Sequence, residues 1–220
     1  RGFRAALQGP GTAVIAEIKR RSPSKGPLNE DLNPRELAGA YARGGAAAIS
    51  VLTEPDYFGG SMEDLKAASE VGLPVLRKDF LIDPFQVFEA RAWGADAVLV
   101  IVRILDDDLG SLVRAVEVLG MDAVVEVFDE MDLDRALEAG ATTIGINHRD
   151  LATFEVDRDR TAKLAPRIPH DRTIVALSGV SSLVEVEGLA IAGANAVLVG
   201  ESAVIAPDPE AMIAELTGRR

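Results

Sequence analysis

Cysteine is absent from the 220 residues. That excludes disulfides, thiolate nucleophiles and cysteine metal sites, and it fits a reducing, cytoplasmic compartment. Histidine is nearly absent too: His148 and His170 are the two present, too few and too isolated to suggest a metal centre. No apolar run approaches the roughly 20 residues that would span a bilayer, and no signal peptide is visible. Positive charge is in deficit, with 23 Lys and Arg against 35 Asp and Glu and a net charge of −12. Such an acidic globule is a poor partner for nucleic acid or an anionic membrane. The first residue is Arg1 rather than methionine, so residues are expected to have preceded it. What remains is the composition of an ordinary soluble domain, 48% hydrophobic and 26% charged, long enough to bury one large core.

Short β-prone runs alternate with longer amphipathic stretches throughout. The periodicity predicts strands over 14–18, 47–52, 74–77, 97–102, 123–127, 143–146, 174–177 and 196–199. Helices are predicted over 34–43, 62–70, 84–93, 107–119, 130–138, 158–165, 183–191 and 209–216. The punctuation agrees. Gly45, Gly94, Gly140 and Gly193 stand where a helix end wants a left-handed residue. Asn33-Pro34, Asp83-Pro84 and Asp208-Pro209 read as an N-cap followed by proline at the first helical position. Eight uninterrupted strand–helix units point to an α/β fold, a single (β/α)8 TIM barrel over residues 1–220. A doubly wound open sheet is the competing arrangement.

In such a barrel the chemistry sits at the carboxyl ends of the strands. Glu17 and Lys19 share one face of the first strand, because strand side chains alternate. Lys78 shares parity with Leu76 on the third, Glu126 ends the fifth, and Asn147 follows the sixth. If the strands close, two carboxylates, two lysines and an asparagine meet at one mouth, although each alone could be a strand-end ion pair or cap. The Lys19-Arg20-Arg21 and Arg77-Lys78 clusters are candidates for a local basic pocket. Ser178-Gly179 and Gly200-Glu201 close the last two strands, where barrels of this kind commonly hold a phosphate. Asp106-Asp107-Asp108 reads as helix capping rather than a metal cluster. Phe85, Phe88 and Trp93 have the spacing of a helix face packed on the barrel wall.

Seven segments together resemble the indole-3-glycerol phosphate synthase family: IAEIKRRSPSKG from Ile15, SVLTEPDYFGGS from Ser50, LRKDF from Leu76, VVEV from Val124, INHRDL from Ile146, SGV from Ser178 and VLVGES from Val197. The resemblance implies a ring closure on a phosphorylated anthranilate–ribulose conjugate, with loss of carbon dioxide and water and without metal or organic cofactor. It implies Lys78 as general acid on the substrate ketone, and Lys19 as the group that neutralises substrate anions. Glu126 would be a proton acceptor or donor in the dehydration, and Glu17 would support the lysines. Asn147, Arg149, Ser22 and Ser178 would bind substrate, and Gly179, Gly200 and Glu201 would line the phosphate region. The expected partner is that small molecule alone, with the chain a monomer or weak homo-oligomer.

Three positions depart from the family pattern. Leu177 stands where the family usually carries glutamate, Phe128 where it often carries histidine, and His148 where asparagine or a small residue is common. The family also has a longer N-terminal segment that helps to cover the site. An altered chemistry on the same scaffold, or a phosphate-ligand binder without turnover, are the other functions compatible with Leu177.

Overall fold

The computed structural model describes residues 1–150, 153 and 155–219. Eight parallel strands close into a barrel: β1 (Ala13–Ile18), β2 (Ala48–Leu52), β3 (Val75–Lys78), β4 (Ala97–Ile101), β5 (Asp122–Val127), β6 (Thr143–Asn147), β7 (Thr173–Leu177) and β8 (Ala196–Val199). Closure comes from β1, which sets Glu17 beside Ser50 of β2 and Ala16 beside Val199 of β8. An open doubly wound sheet is thereby excluded. Strands covered on both faces read as continuous apolar runs, and these do. Ile15, Leu76, Leu99, Val124, Val175 and Leu198 point into the barrel. Their neighbours Val14, Val75, Val98, Val125, Ile174 and Val197 point out against the helices.

The helices begin where the sequence puts its caps. Asn33 accepts hydrogen bonds from the amides of Arg35 and Glu36, starting Pro34–Gly44. Asp83 and Gln86 form a reciprocal capping box on Pro84–Ala92, and Asp208 caps Pro209–Leu216. Gly45, Gly94, Gly140 and Gly193 all adopt positive φ at the far ends. The observed boundaries differ from those expected by a residue or two.

Two expectations are corrected. Phe85 and Phe88 do not pack on the barrel wall; they are 69% and 55% exposed, on the solvent side of Pro84–Ala92. Trp93 alone of the three packs against the core. Helical spacing identifies a shared face but not which way that face looks. The helix expected from Asp107 starts at Leu109, and Asp108 occupies its N-cap position without a side-chain capping bond. The expected side-chain capping by the acidic run is therefore not made.

Several short elements carried no periodic signal. A hairpin pairs Arg21–Ser22 with Gly26–Pro27, and single helical turns occupy Phe3–Ala6, Pro55–Phe58 and Glu201–Val204. The first of these turns stoppers the amino end of the barrel. Phe3 and Leu7 are wholly buried in the inner apolar cluster, and Arg4 bonds Asp122 through its backbone amide and Thr173 through its guanidinium. Among the described residues no helix is long and apolar enough to cross a membrane.

Deleting the Phe3 ring would leave a cavity at the barrel floor. Phe3→Ala is expected to cost about 3–5 kcal/mol, read as a lower midpoint in equilibrium urea unfolding with little change in slope.

Candidate active site

At the carboxyl end of the barrel lies a cavity of about 690 Å³. Alternation along β1 turns Glu17 and Lys19 into it, while Ile18 and Arg20 face outward. Lys19 Nζ lies 2.8 Å from Glu17 Oε1, and Lys78 Nζ, arriving from β3, lies 3.5 Å from Oε2. One carboxylate is thus held between two ammonium groups contributed by different strands. Burial alone would push the Glu17 carboxyl upward, but the attraction of Lys19 and Lys78 outweighs it and the net shift is downward. Glu17 therefore stays ionised, and both lysines keep their charge partner.

The neighbouring arginines go elsewhere. Arg20 forms an ion pair with Asp64 on Met62–Ser69, and Arg21 reaches Glu30. Arg77 is buried outside the barrel, bonded to Asp79 and Glu89. Of the basic clusters expected to make a pocket, only Lys19 and Lys78 reach it, because successive strand residues alternate faces.

Glu126 does not line the cavity. It is buried beneath it, and its carboxyl is raised by burial against the opposing pull of Lys78 and a hydrogen bond from Asn147. The two acids of the site thus differ in kind: Glu17 is paired and charged, whereas Glu126 is pushed toward holding its proton. Such divergence is how one site supplies distinct acid–base roles. Asn147 Oδ1 accepts from Ser178 Oγ at 2.9 Å and from the Arg149 amide at 3.0 Å, which aims its NH₂ end toward Glu126.

The remaining expected residues all reach the cavity: Asn147, Arg149, Ser22, Ser178, Gly179, Gly200 and Glu201. Leu151, last residue of the INHRDL segment, lies outside the described residues. Gly200 has a specific reason to be glycine. A Cβ there would stand 2.5 Å from Glu17 Oε1 and 2.9 Å from Lys19 Nζ, inside the ion pair. Ser178 is held at φ 70, a left-handed conformation costing a non-glycine residue about 1–2 kcal/mol. Glu201 lies 4.0 Å from Lys25 of the hairpin turn, a half-exposed link across the mouth.

One wall is apolar. Leu177 is buried at the cavity floor with Leu198, and its Cδ1 occupies the space that Gly145 leaves open. Tyr57, Phe58 and Phe80 face it, and Phe58 lies 6.0 Å from Lys78 Nζ. The Tyr57-Phe58 turn is fixed by Glu54, whose carboxylate accepts from the amides of Asp56, Tyr57 and Phe58 at 2.7–3.2 Å. These aromatics and Arg158 were not singled out from the sequence. The TEPDYF stretch held the signal, an acid before proline at the start of a turn. Arg158 follows an irregular segment and has none. A cavity lined by ammonium groups and, beside Lys78, by aromatic rings suits a molecule that is anionic and aromatic.

Gly200→Ala is expected to break the Glu17–Lys19 pair and destabilise the fold by roughly 3 kcal/mol, as loss of a buried ionic partner does. Because the Glu17 pKa is depressed in the fold, its contribution is present above its unfolded pKa and lost as pH falls through the folded one. The variant should therefore show Glu17 titrating higher by carboxyl NMR and a smaller loss of stability on acidification than the parent.

Comparison with known proteins is consistent along the whole chain. Residues 1–216 match the family model described as indole-3-glycerol phosphate synthase. A protein of that name from Mycolicibacterium gilvum is 52% identical over 214 residues, covering 96% of this chain and 79% of its own. Another from Parafrankia sp. is 54% identical, with 96% and 80% covered. "Indole-3-glycerol phosphate synthase 2" of Streptomyces coelicolor is 52% identical over 220 residues, with 99% and 85% covered. Among solved structures, thiamine phosphate pyrophosphorylase from Pyrococcus furiosus superposes with a TM-score of 0.71 at 16% identity, covering 98% of this chain and 96% of its own. N-acetylmannosamine-6-phosphate 2-epimerase from Clostridium perfringens gives 0.70 at 16%, with 92% and 90% covered. At that identity the two structures speak for the barrel alone. The match along nearly its full length, to the family model and to relatives sharing half its residues, shows that the chain belongs to the indole-3-glycerol phosphate synthase family.

Proposed function

We propose that the chain is a carbon–carbon lyase that closes the indole ring of 1-(2-carboxyphenylamino)-1-deoxyribulose 5-phosphate. The observation that carries this reading is the Glu17 carboxylate shared by Lys19 and Lys78 at the wall of a cavity that also presents aromatic rings, Phe58 next to Lys78 among them. The aromatic carbon bearing the carboxylate attacks the ketone carbon, and the new C–C bond leaves negative charge on the ketone oxygen. Lys78 gives that oxygen a proton as the charge develops. Glu17 is the counter-ion against which Lys78 is held, 3.5 Å away. Carbon dioxide departs and returns its bonding pair to the ring, while Lys19 holds the substrate's anionic group in place. The hydroxyl then leaves as water, and Glu126, displaced toward its protonated form, exchanges the protons of that step.

Asn147 and Arg149 position the substrate, Ser22 and Ser178 bind it, and the Gly179 and Gly200 turns with Glu201 frame the phosphate. The aromatic ring of the substrate lies against Phe58, Phe80 and Leu177. This reading includes a cytoplasmic enzyme without metal or organic cofactor, working as a monomer or weak homo-oligomer on a small molecule.

Adding this substrate should produce the fluorescence of an indole product. Lys78→Ala is expected to lower kcat by at least 10³-fold, since it removes the acid from the charge-forming step. Leu177→Glu, which places a carboxylate opposite the two lysines, is expected to raise turnover tenfold or more. No product from the parent chain at any substrate concentration would end the reading.

The pH profile of kcat offers a separate check. Its glutamate inflection should lie above the ordinary range near pH 4.3, and Glu126→Gln should remove it together with most of the activity. The raised carboxyl favours the fold below its unfolded pKa and ceases to do so as pH rises through the folded one. Glu126→Gln should therefore gain stability relative to the parent as pH increases, measured by thermal unfolding at several pH values.

A further inference from the structure

Ser178 is the one non-glycine with positive φ among the described residues, and Gly179 follows it at φ 82. A residue persists in that region when its surroundings over-determine it, and such residues gather at ligand clamps. The surroundings here are chiefly His148. Its backbone N–H donates to the Leu177 carbonyl at 3.0 Å, and its ring Nδ1 lies 3.1 Å from the Ser178 carbonyl oxygen. A carbonyl can only accept, so Nδ1 carries the ring proton. Nε2, 2.7 Å from Thr161 Oγ1, accepts from that hydroxyl in turn. Burial holds the imidazole pKa below its usual value and so favours this neutral ring, against the opposing effect of the Ser178 bond.

His148 therefore grips two successive carbonyls at the end of β7 and is itself braced by Arg160–Leu164, the helix that carries Thr161. The ring is buried and lies outside the cavity lining, so it meets no bound molecule. What it controls is the turn. From the other side Ser202 Oγ donates to the Val180 carbonyl at 3.2 Å, and Ser178 Oγ is committed to Asn147. Without the imidazole, the carbonyl that requires the left-handed form loses its partner, and Ser178 is free to relax away from the cavity.

We propose that His148 is a positioning residue for anion binding: it clamps the Ser178–Gly179 turn in the left-handed conformation that forms the phosphate wall of the cavity. The proposal deepens the ring-closure reading and rests on it for the identity of the anion. It concerns a position where this chain departs from the asparagine or small residue common in the family.

The test compares inorganic phosphate binding by calorimetry with steady-state kinetics on the phosphorylated substrate. His148→Leu is expected to raise the phosphate Kd and the KM at least tenfold, with kcat within about threefold of the parent. His148→Asn keeps an N–H donor where Nδ1 stands and should restore both constants to within about threefold. Should His148→Leu fail to fold, Thr161→Val carries the test, with KM and Kd up about threefold and kcat retained. A folded His148→Leu that binds phosphate like the parent overturns the proposal, as does a His148→Asn protein that stays as weak as His148→Leu, or a Thr161→Val protein with unchanged constants. Phosphate binding that depends on His148 in a parent without turnover would remove the ring-closure reading and uphold the clamp. Turnover with phosphate binding indifferent to His148 would do the reverse.

Discussion

The site depends on one buried carboxylate being shared by two ammonium groups. Glu17 is the point through which β1 and β3 communicate, since Lys19 and Lys78 are each anchored to it. Removing water from three charges is expensive, and their mutual attraction repays it only in tight geometry. That geometry needs the barrel to be closed and Gly200 to lack a side chain. It also needs the backbone beneath Glu17 to stay still. Tyr41, buried behind β1, donates its hydroxyl to the Glu17 carbonyl, and burial with the nearby carboxylate raises its pKa far beyond physiological pH. The chemistry at the mouth and the packing behind the strand are one constraint.

Around that centre the barrel separates functions by layer. The charged pair with Lys78 occupies the top of the inner face, Glu126 sits a layer lower, and the interior beneath is filled by apolar residues down to Phe3 and Leu7. Water excluded from the lower layers raises the Glu126 carboxyl, and the pull of Lys78 and the Asn147 bond only partly offsets that burial. Leu177 extends the dry zone upward to the cavity floor. The mouth thus sets the lysines beside an apolar floor, which suits an anionic aromatic molecule.

The barrel was legible because its signals repeat: eight apolar runs, glycine after the helices and proline after an acid or amide. Glu17, Lys19, Lys78, Asn147 and the two glycine turns were legible because strand alternation assigns a face to each residue. The same rule, carried one residue further, would have sent Arg20 and Arg77 outward. Phe85 and Phe88 were misplaced because periodicity says which residues share a face and leaves open which side it turns. The aromatic wall escaped because Tyr57 and Phe58 sit on a single turn fixed by Glu54, and one turn has no period. The left-handed Ser178 escaped because its cause, His148, is thirty residues away in the chain.

Trp93, half-buried beside the end of Pro84–Ala92, is the chain's one tryptophan and stands on the outer layer, away from the cavity. Its emission therefore follows how that helix sits on the core. Loosening of the outer layer lets water reach the indole and shifts the emission to the red, so one native side chain reports the state of the scaffold without a label.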